Sequence, residues 1–390
     1  MSNRKCSYAV PSGDTNQSPL DLSSSHSSRL HQPDKSNNDI FLRRDHDFEV
    51  QSLSGEPSGT KSNYTLAQQQ PIPTHYPENK VDPAQESSTD VNIDHMELLI
   101  HLTLDNNVIC LSLGDDAFTN PVSLSLALKA GLKSSYLLYE LLAISALHLA
   151  SLNPTRSDLH WHQAITLQSR ALAMFNSEYK AINETNCVDI LLFSSILGHH
   201  LLADTLAKRD PGGLEAFMRN YIHCIEIHRG IHTIAMTAWP QLVKSELEPI
   251  LSASSRFTSR SPRGCECQRI FELVDTCEGL DHDGKEACQL MIRHLQVGLD
   301  AAATEQQQGY RHYMIYTWLM LAPPKFIDLL YERRPEALIL LAYYAILLHY
   351  GRNMWQVRDA GVYLFKMIRD YLHPQWNAWL QYPQELILSG

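Results

Sequence analysis

Basic side chains are in short supply. The 390 residues hold 32 Lys and Arg against 43 Asp and Glu, a formal net charge of −11. A broad nucleic-acid-binding face needs a basic surplus to neutralise phosphates, so the balance speaks against one. Long hydrophobic runs are missing too. The longest, Ala337 to Leu348, stops at His349 and falls short of the roughly 20 apolar residues of a membrane-spanning helix. Met1 is followed by Ser2, Asn3, Arg4 and Lys5 with no apolar segment behind them, so no secretory leader is expected. The reading is a soluble intracellular chain with no membrane partner. In a reducing compartment its eight scattered cysteines read mostly as small, buried, reduced apolar residues.

Enzyme signatures are absent as well. The chain has no G-x-S-x-G, no G-x-x-x-x-G-K-[ST], no G-x-G-x-x-G and no H-E-x-x-H. It therefore lacks a nucleophile elbow, a phosphate cradle and a zinc-protease helix. A lipid or terpenoid enzyme would need a D-D-x-x-D pattern, but Asp115-Asp116 is followed by Ala117 and Phe118. The expectation is that the chain is not an enzyme, with no catalytic residues to name.

What is present divides near residue 92. Before that point the chain is rich in Ser and Pro, carries Gln68-Gln69-Gln70 and has no Trp; all six Trp come later. Such a composition buries too little apolar surface to offset chain entropy, so residues 9–92 are expected to be a disordered linker. After it the hydrophobic period becomes helical. The expected fold class is all-α, a multi-helix domain over residues 93–390, without alternating strands or an internal repeat. Asp94 and Glu97 suggest a capping box, with Met96, Leu99, Ile100 and Thr103 on one face. Tyr136–Ala150 is apolar nearly all round and predicts a central helix. Further helices are expected over 158–175, with Leu159, Ala164, Leu167, Ala171, Leu172 and Phe175 inside, and over Cys187–Leu206. Another should run from Leu214 to His228 and end or kink at Gly230. The Ser/Arg-rich stretch 252–264 predicts a surface loop. Helices resume at Gln268, 285–303, Tyr310–Leu321, Phe326–Arg333, Pro335–His349 and Val357–Tyr371. Pro335 suits a first helical turn, where its missing N–H costs nothing.

Four segments make these helices recognisable: Met96-Glu97-Leu98-Leu99 with His101; the run Leu141 to Ala150; His228-Arg229-Gly230-Ile231 with Tyr221 ahead; and Arg334 to Ala345, followed by Trp355, Trp376, Trp379 and Pro383. In order and spacing they resemble the regulatory domain of fungal zinc-cluster (Zn2Cys6) transcription factors, of the type found in sterol uptake control proteins. The likeness runs over residues 95–385. It departs at Met354-Trp355-Gln356, where the family often has paired tryptophans, and at Tyr382-Pro383, where it often has Trp-Pro.

The resemblance implies a nuclear transcription regulator. In the family, six cysteines hold two zinc ions through thiolates and bind DNA. Residues 1–8, with Cys6 in Asn3-Arg4-Lys5-Cys6-Ser7-Tyr8, resemble the last few residues of that cluster; the other five cysteines are not in this sequence. Cys6 would be a relic metal ligand, and one thiolate cannot fix zinc. No cofactor is expected in this chain, and DNA is expected as a partner only if the cluster is restored upstream. Other implied partners are transcription machinery or co-regulator proteins, a sterol or other lipidic effector, and a second copy in a homodimer. The alternative reading is a non-DNA-binding co-regulator or lipid-sensing interaction protein.

Other clusters read more blandly. Cys265, Cys267, Cys277 and Cys288 are spaced C-x-C-x9-C-x10-C, which matches no usual zinc finger. His228 and His232 stand four apart, but Gly230 lies between them. His199-His200 and His160/His162 are adjacent or two apart, and such pairs point away from each other on a helix. The apolar faces of Tyr136–Leu149 and Ala337–Leu348 are core first, with a lipid cavity beside them as the sharper possibility. Limited proteolysis should leave a stable fragment starting near residue 90. A resistant core that included residues 20–80 would contradict the division.

Overall fold

The computed structural model describes residues 91–109, 122–178, 181–209, 211–303 and 308–388. Within these residues it is all-helical, with no strand. The expected Zn2Cys6 remnant (1–8) and linker (9–92) lie outside the described residues.

The helices are α1 (Ile93–Leu104), α2 (Val122–Gly131), α3 (Ser135–Leu152), α4 (Ser157–Glu178), α5 (Cys187–Ala207), α6 (Gly213–Thr237), α7 (Trp239–Leu242), α8 (Glu248–Thr258), α9 (Gln268–Thr276), α10 (His282–Ala303), α11 (Gln308–Met320), α12 (Pro324–Tyr331), α13 (Pro335–Tyr350), α14 (Ala360–Tyr371) and α15 (Asn377–Leu388).

Two of them organise the rest. α3 buries every residue from Glu140 to His148, and α13 buries every residue from Glu336 to His349. A helix apolar on all sides must be wrapped on all sides. α1, α2, α4 and α5 wrap α3, while α9, α10, α11, α14 and α15 pack on α13. α6 joins the halves, lying against α5 on one side and against α11, α12 and α14 on the other. By length and composition α3 and α5 could also cross a membrane, but most of each lies inside the fold.

Local chemistry sets the ends. α13 opens on Pro335, as expected. The turn before it uses Arg333 in the left-handed region (φ 56°), with the Arg334 N–H donating to Leu329 O to close α12. Pro211-Gly212 forms the turn that ends in α6, and Gly213 there has φ +61°, which a side chain would strain.

Several expectations need correction. α1 is capped by Asn92, whose Oδ1 accepts from His95 N, not by an Asp94/Glu97 box; Glu97 instead pairs with Arg156 at 3.3 Å. Its inner residues are Leu98 and Leu102, while Met96, Ile100 and Thr103 are exposed. The face that points inward is fixed by α3, where Ser145 Oγ donates to Leu98 O. In α4, Ala164, Leu167, Ala171 and Phe175 are buried as expected, His160 joins them, and Leu159 is exposed. α6 runs straight through Gly230 to Thr237, since buried Ile231 and Ile234 secure the extra turns. The supposed loop 252–264 is partly α8, an amphipathic helix anchored by Phe257. α2, α7, α8 and α15 had no sequence counterpart.

Glu140 of α3 and His200 of α5 form a buried pair, with His200 Nδ1 and Glu140 Oε1 2.9 Å apart and both side chains nearly inaccessible. Removing one member of a buried polar pair strands the other. Glu140→Ala should therefore lower unfolding free energy by about 3–5 kcal/mol, and Glu140→Leu with His200→Leu should recover much of it. Urea denaturation checks this; a loss under about 1 kcal/mol for the single change would mean that the pair contributes little.

Candidate functional site

Apolar faces of α5, α6, α8 and α11 do not close on one another completely. They leave a cavity of about 430 Å³, open on one side, with Trp239 of α7 and Met354 also in its wall. It lies in the size range of small-molecule pockets.

α5 supplies Leu191, Ser195 and His199, four residues apart and so stacked along one helix face. Ser195 Oγ donates back to Leu191 O at 2.7 Å. α6 contributes Ile231 and Ala235 to the wall, and exposed His232 and Met236 to the rim. α8 brings Ile250, Leu251 and Ser254; α11 brings Tyr313, Tyr316 and Met320. Ser254 Oγ and Tyr313 Oη are hydrogen-bonded across the α8–α11 seam.

His199 is the polar centre. Its ring stacks on Tyr316 with centroids 3.9 Å apart and planes 11° from parallel. Among the described residues its Nδ1 has no hydrogen-bond partner. Burial, with a smaller push from His228, lowers its pKa to about 3. It is therefore a neutral imidazole at physiological pH, set among mostly apolar walls that also carry the Ser195, Ser254 and Tyr313 hydroxyls. No carboxylate lines the cavity among the described residues, and a base of pKa about 3 is poorly matched to proton abstraction near neutrality. The site is built to hold a mostly apolar molecule with a polar group.

This is not where the sequence pointed. Neither α3 nor α13 lines the cavity. Both are packed solid, and Ala146 sits in a satellite core with Leu98, Ala164 and Leu167. The cavity's signal in the sequence was subtler: Ser195 and His199 at one helical spacing in an otherwise apolar α5.

The other sequence candidates stay apart. Cys6 lies outside the described residues. Cys267 is fully buried and its thiol is pushed well up by burial and then by Glu266. Cys288 is pushed up to about 12, again chiefly by burial, and Cys277 Sγ donates to Glu336 Oε1 at 2.9 Å. These are protonated thiols, and no cysteine belongs to a three-ligand cluster among the described residues. Cys187, Cys224, Cys267, Cys277 and Cys288 are free cysteines, as expected of small buried residues. His228 faces the core, its Nδ1 2.8 Å from Cys224 O, so it does not meet rim residue His232 on a metal. His200 turns to Glu140, away from the cavity that its neighbour His199 enters. His162 bonds Asp158 O, and buried His160 bonds Gln163.

Buried neutral histidine makes stability depend on pH. The folded pKa of His199, about 3, lies below the ordinary value of about 6.5. Between these values the unfolded chain binds the extra proton, so stability falls as pH drops from about 6.5 towards 3. His199→Phe, which keeps a ring on Tyr316, should reduce the slope of unfolding free energy against pH by about one proton in that window. Urea titrations at several pH values measure it; an unchanged slope would show that His199 titrates normally.

No protein-family model matches the chain. Over 329 aligned residues, 79% of this chain, it is 22% identical to a Zn(2)-C6 fungal-type transcription factor of Gibberella zeae. The chain spans 66% of that protein's length, just under two thirds. An all-helical fold with an apolar cavity is thus found in a chain distantly similar to a fungal zinc-cluster transcription factor.

Proposed function

We propose that this chain is the regulatory part of a fungal transcription regulator, acting in the nucleus through an effector bound in the α5–α6–α8–α11 cavity. The observation that carries the reading is that cavity, apolar with buried His199 in its wall, in a chain similar to a Zn(2)-C6 fungal-type transcription factor. The effector is a sterol-like or other lipidic molecule whose hydroxyl or carbonyl meets His199. Regulation is a shift of populations: a ligand that binds one arrangement of α8 against α5 and α11 more tightly favours it, and the surface shown to transcription machinery or a co-regulator changes with it.

The chain has no catalytic role in this reading. Its acidic charge, −11 overall, favours protein partners over a broad DNA face. Specific DNA binding belongs to a zinc cluster with all six cysteines, of which Cys6 is the counterpart here.

A thermal-shift screen with sterols and fatty acids tests the proposal. A ligand at a hundredfold excess over its dissociation constant should add about 2.7 kcal/mol of stability. Ala235→Trp, which fills the cavity from α6, should abolish the shift while the protein stays folded by circular dichroism; Ala146→Trp lies in the wrong place to serve. If no lipid moves the melting temperature, or if Ala235→Trp responds as the parent does, the cavity is not an effector site.

A further inference from the structure

A second constellation lies away from the cavity, where the end of α1 meets α3. The ligand-capable atoms of His101, Asp105 and His148 all lie within 4.8 Å of one another. His101 Nε2 and His148 Nδ1 are 3.0 Å apart. His148 is buried on α3; His101 and Asp105 are half-buried. We propose that these three residues form a binding site for a divalent transition-metal ion of the zinc type, which clamps α1 to α3.

The donor set suits that class. Two imidazole nitrogens and a carboxylate oxygen favour zinc and its neighbours over calcium or magnesium, which prefer oxygen alone. Three protein ligands leave a fourth position open. Around a tetrahedral ion with metal–nitrogen bonds of about 2.0–2.1 Å, the two nitrogens would stand about 3.4 Å apart. The rings need to part by only a few tenths of an ångström from their present 3.0 Å. Without the ion, one ring's N–H donates to the other's lone pair. On binding, the donating ring moves that proton to its other nitrogen through solvent, both facing nitrogens offer lone pairs, and no net proton is lost.

The surroundings already hold the ligands in place, as outer-shell groups do around metal sites. Asp105 Oδ1 accepts from Asn107 N at 2.9 Å and from Asn107 Nδ2 at 3.0 Å, which leaves the second carboxylate oxygen for the ion. The His148 ring packs against Trp355, tilted by 36° with centroids 4.8 Å apart, and Trp355 Nε1 donates to Asn107 O at 2.9 Å. His160 of α4 lies close enough to His101 for their charges to repel, and its buried Nε2 has no hydrogen-bond partner among the described residues. The exposed group His282, Asp283 and Glu286 lacks any such support and serves as a control. None of the cysteine or histidine sets weighed in the sequence includes these residues; the two histidines stand 47 positions apart and form no motif with Asp105.

The test uses the untagged full chain stripped with a chelator. Zinc titration by calorimetry and cobalt titration by absorption should both show one ion per chain, with cobalt giving weak visible bands and no sulfur charge-transfer band. His101→Gln and Asp105→Asn, both at half-buried positions, should each weaken binding by at least about tenfold; His282→Gln should leave it unchanged. Absence of binding at micromolar zinc, a sulfur charge-transfer band, or full affinity in His101→Gln would overturn the proposal.

Discussion

A helix with no polar side cannot rest at a surface. α3 and α13 both have this character, and removing their apolar side chains from water, at about 25 cal/mol per Å², is what the other helices accomplish. The order of the chain follows from it. α1, α2, α4 and α5 gather around the first such helix, and α9, α10, α11, α14 and α15 around the second. α6 lies against members of both groups, so most buried residues share one large core, with a satellite around Ala146. The cavity opens at the margin between the two groups, where short α7 and α8 complete its wall.

Polar groups inside such a core need individual explanations, because each one left unpaired is costly. His199 and His200 show two solutions at neighbouring positions. His200 reaches Glu140 and fastens α5 to α3. His199 turns towards the cavity, stacks on Tyr316 and stays neutral. Adjacent helical residues point about 100° apart, so one can serve packing while the next serves a ligand.

The pattern of apolar residues made the all-α class and most helix spans readable, and the two central helices were evident from composition alone. Orientation was harder. Leu98 and Leu102 rather than Met96 and Ile100 face inward on α1, because a stripe on a short helix is consistent with more than one rotation until a partner fixes it. Gly230 looked like a stop, yet its neighbours' burial outweighs roughly 1 kcal/mol of glycine penalty. α8 was hidden by its Ser and Arg residues, which occupy its solvent side, and α15 carries Pro383 inside the helix. The cavity was misplaced for a different reason. Apolarity marks the most tightly packed helices, whereas an imperfect fit between α5, α6, α8 and α11 is a property of three-dimensional shape.

At Gly361 a β-carbon would stand 2.7 Å from Ala345 O and 2.6 Å from His349 N. The backbones of α13 and α14 therefore touch there, with no layer of side chains between them. Side chains act as bearings in a packed interface; they can change rotamer and let one helix slip past another. Here the bearing is missing, and α14 is seated directly in the groove of α13. The two must turn and translate as one stiff beam. By contrast, α8 meets α11 through the side chains of Ser254, Phe257 and Tyr313, a seam that keeps the bearing α13 and α14 lack.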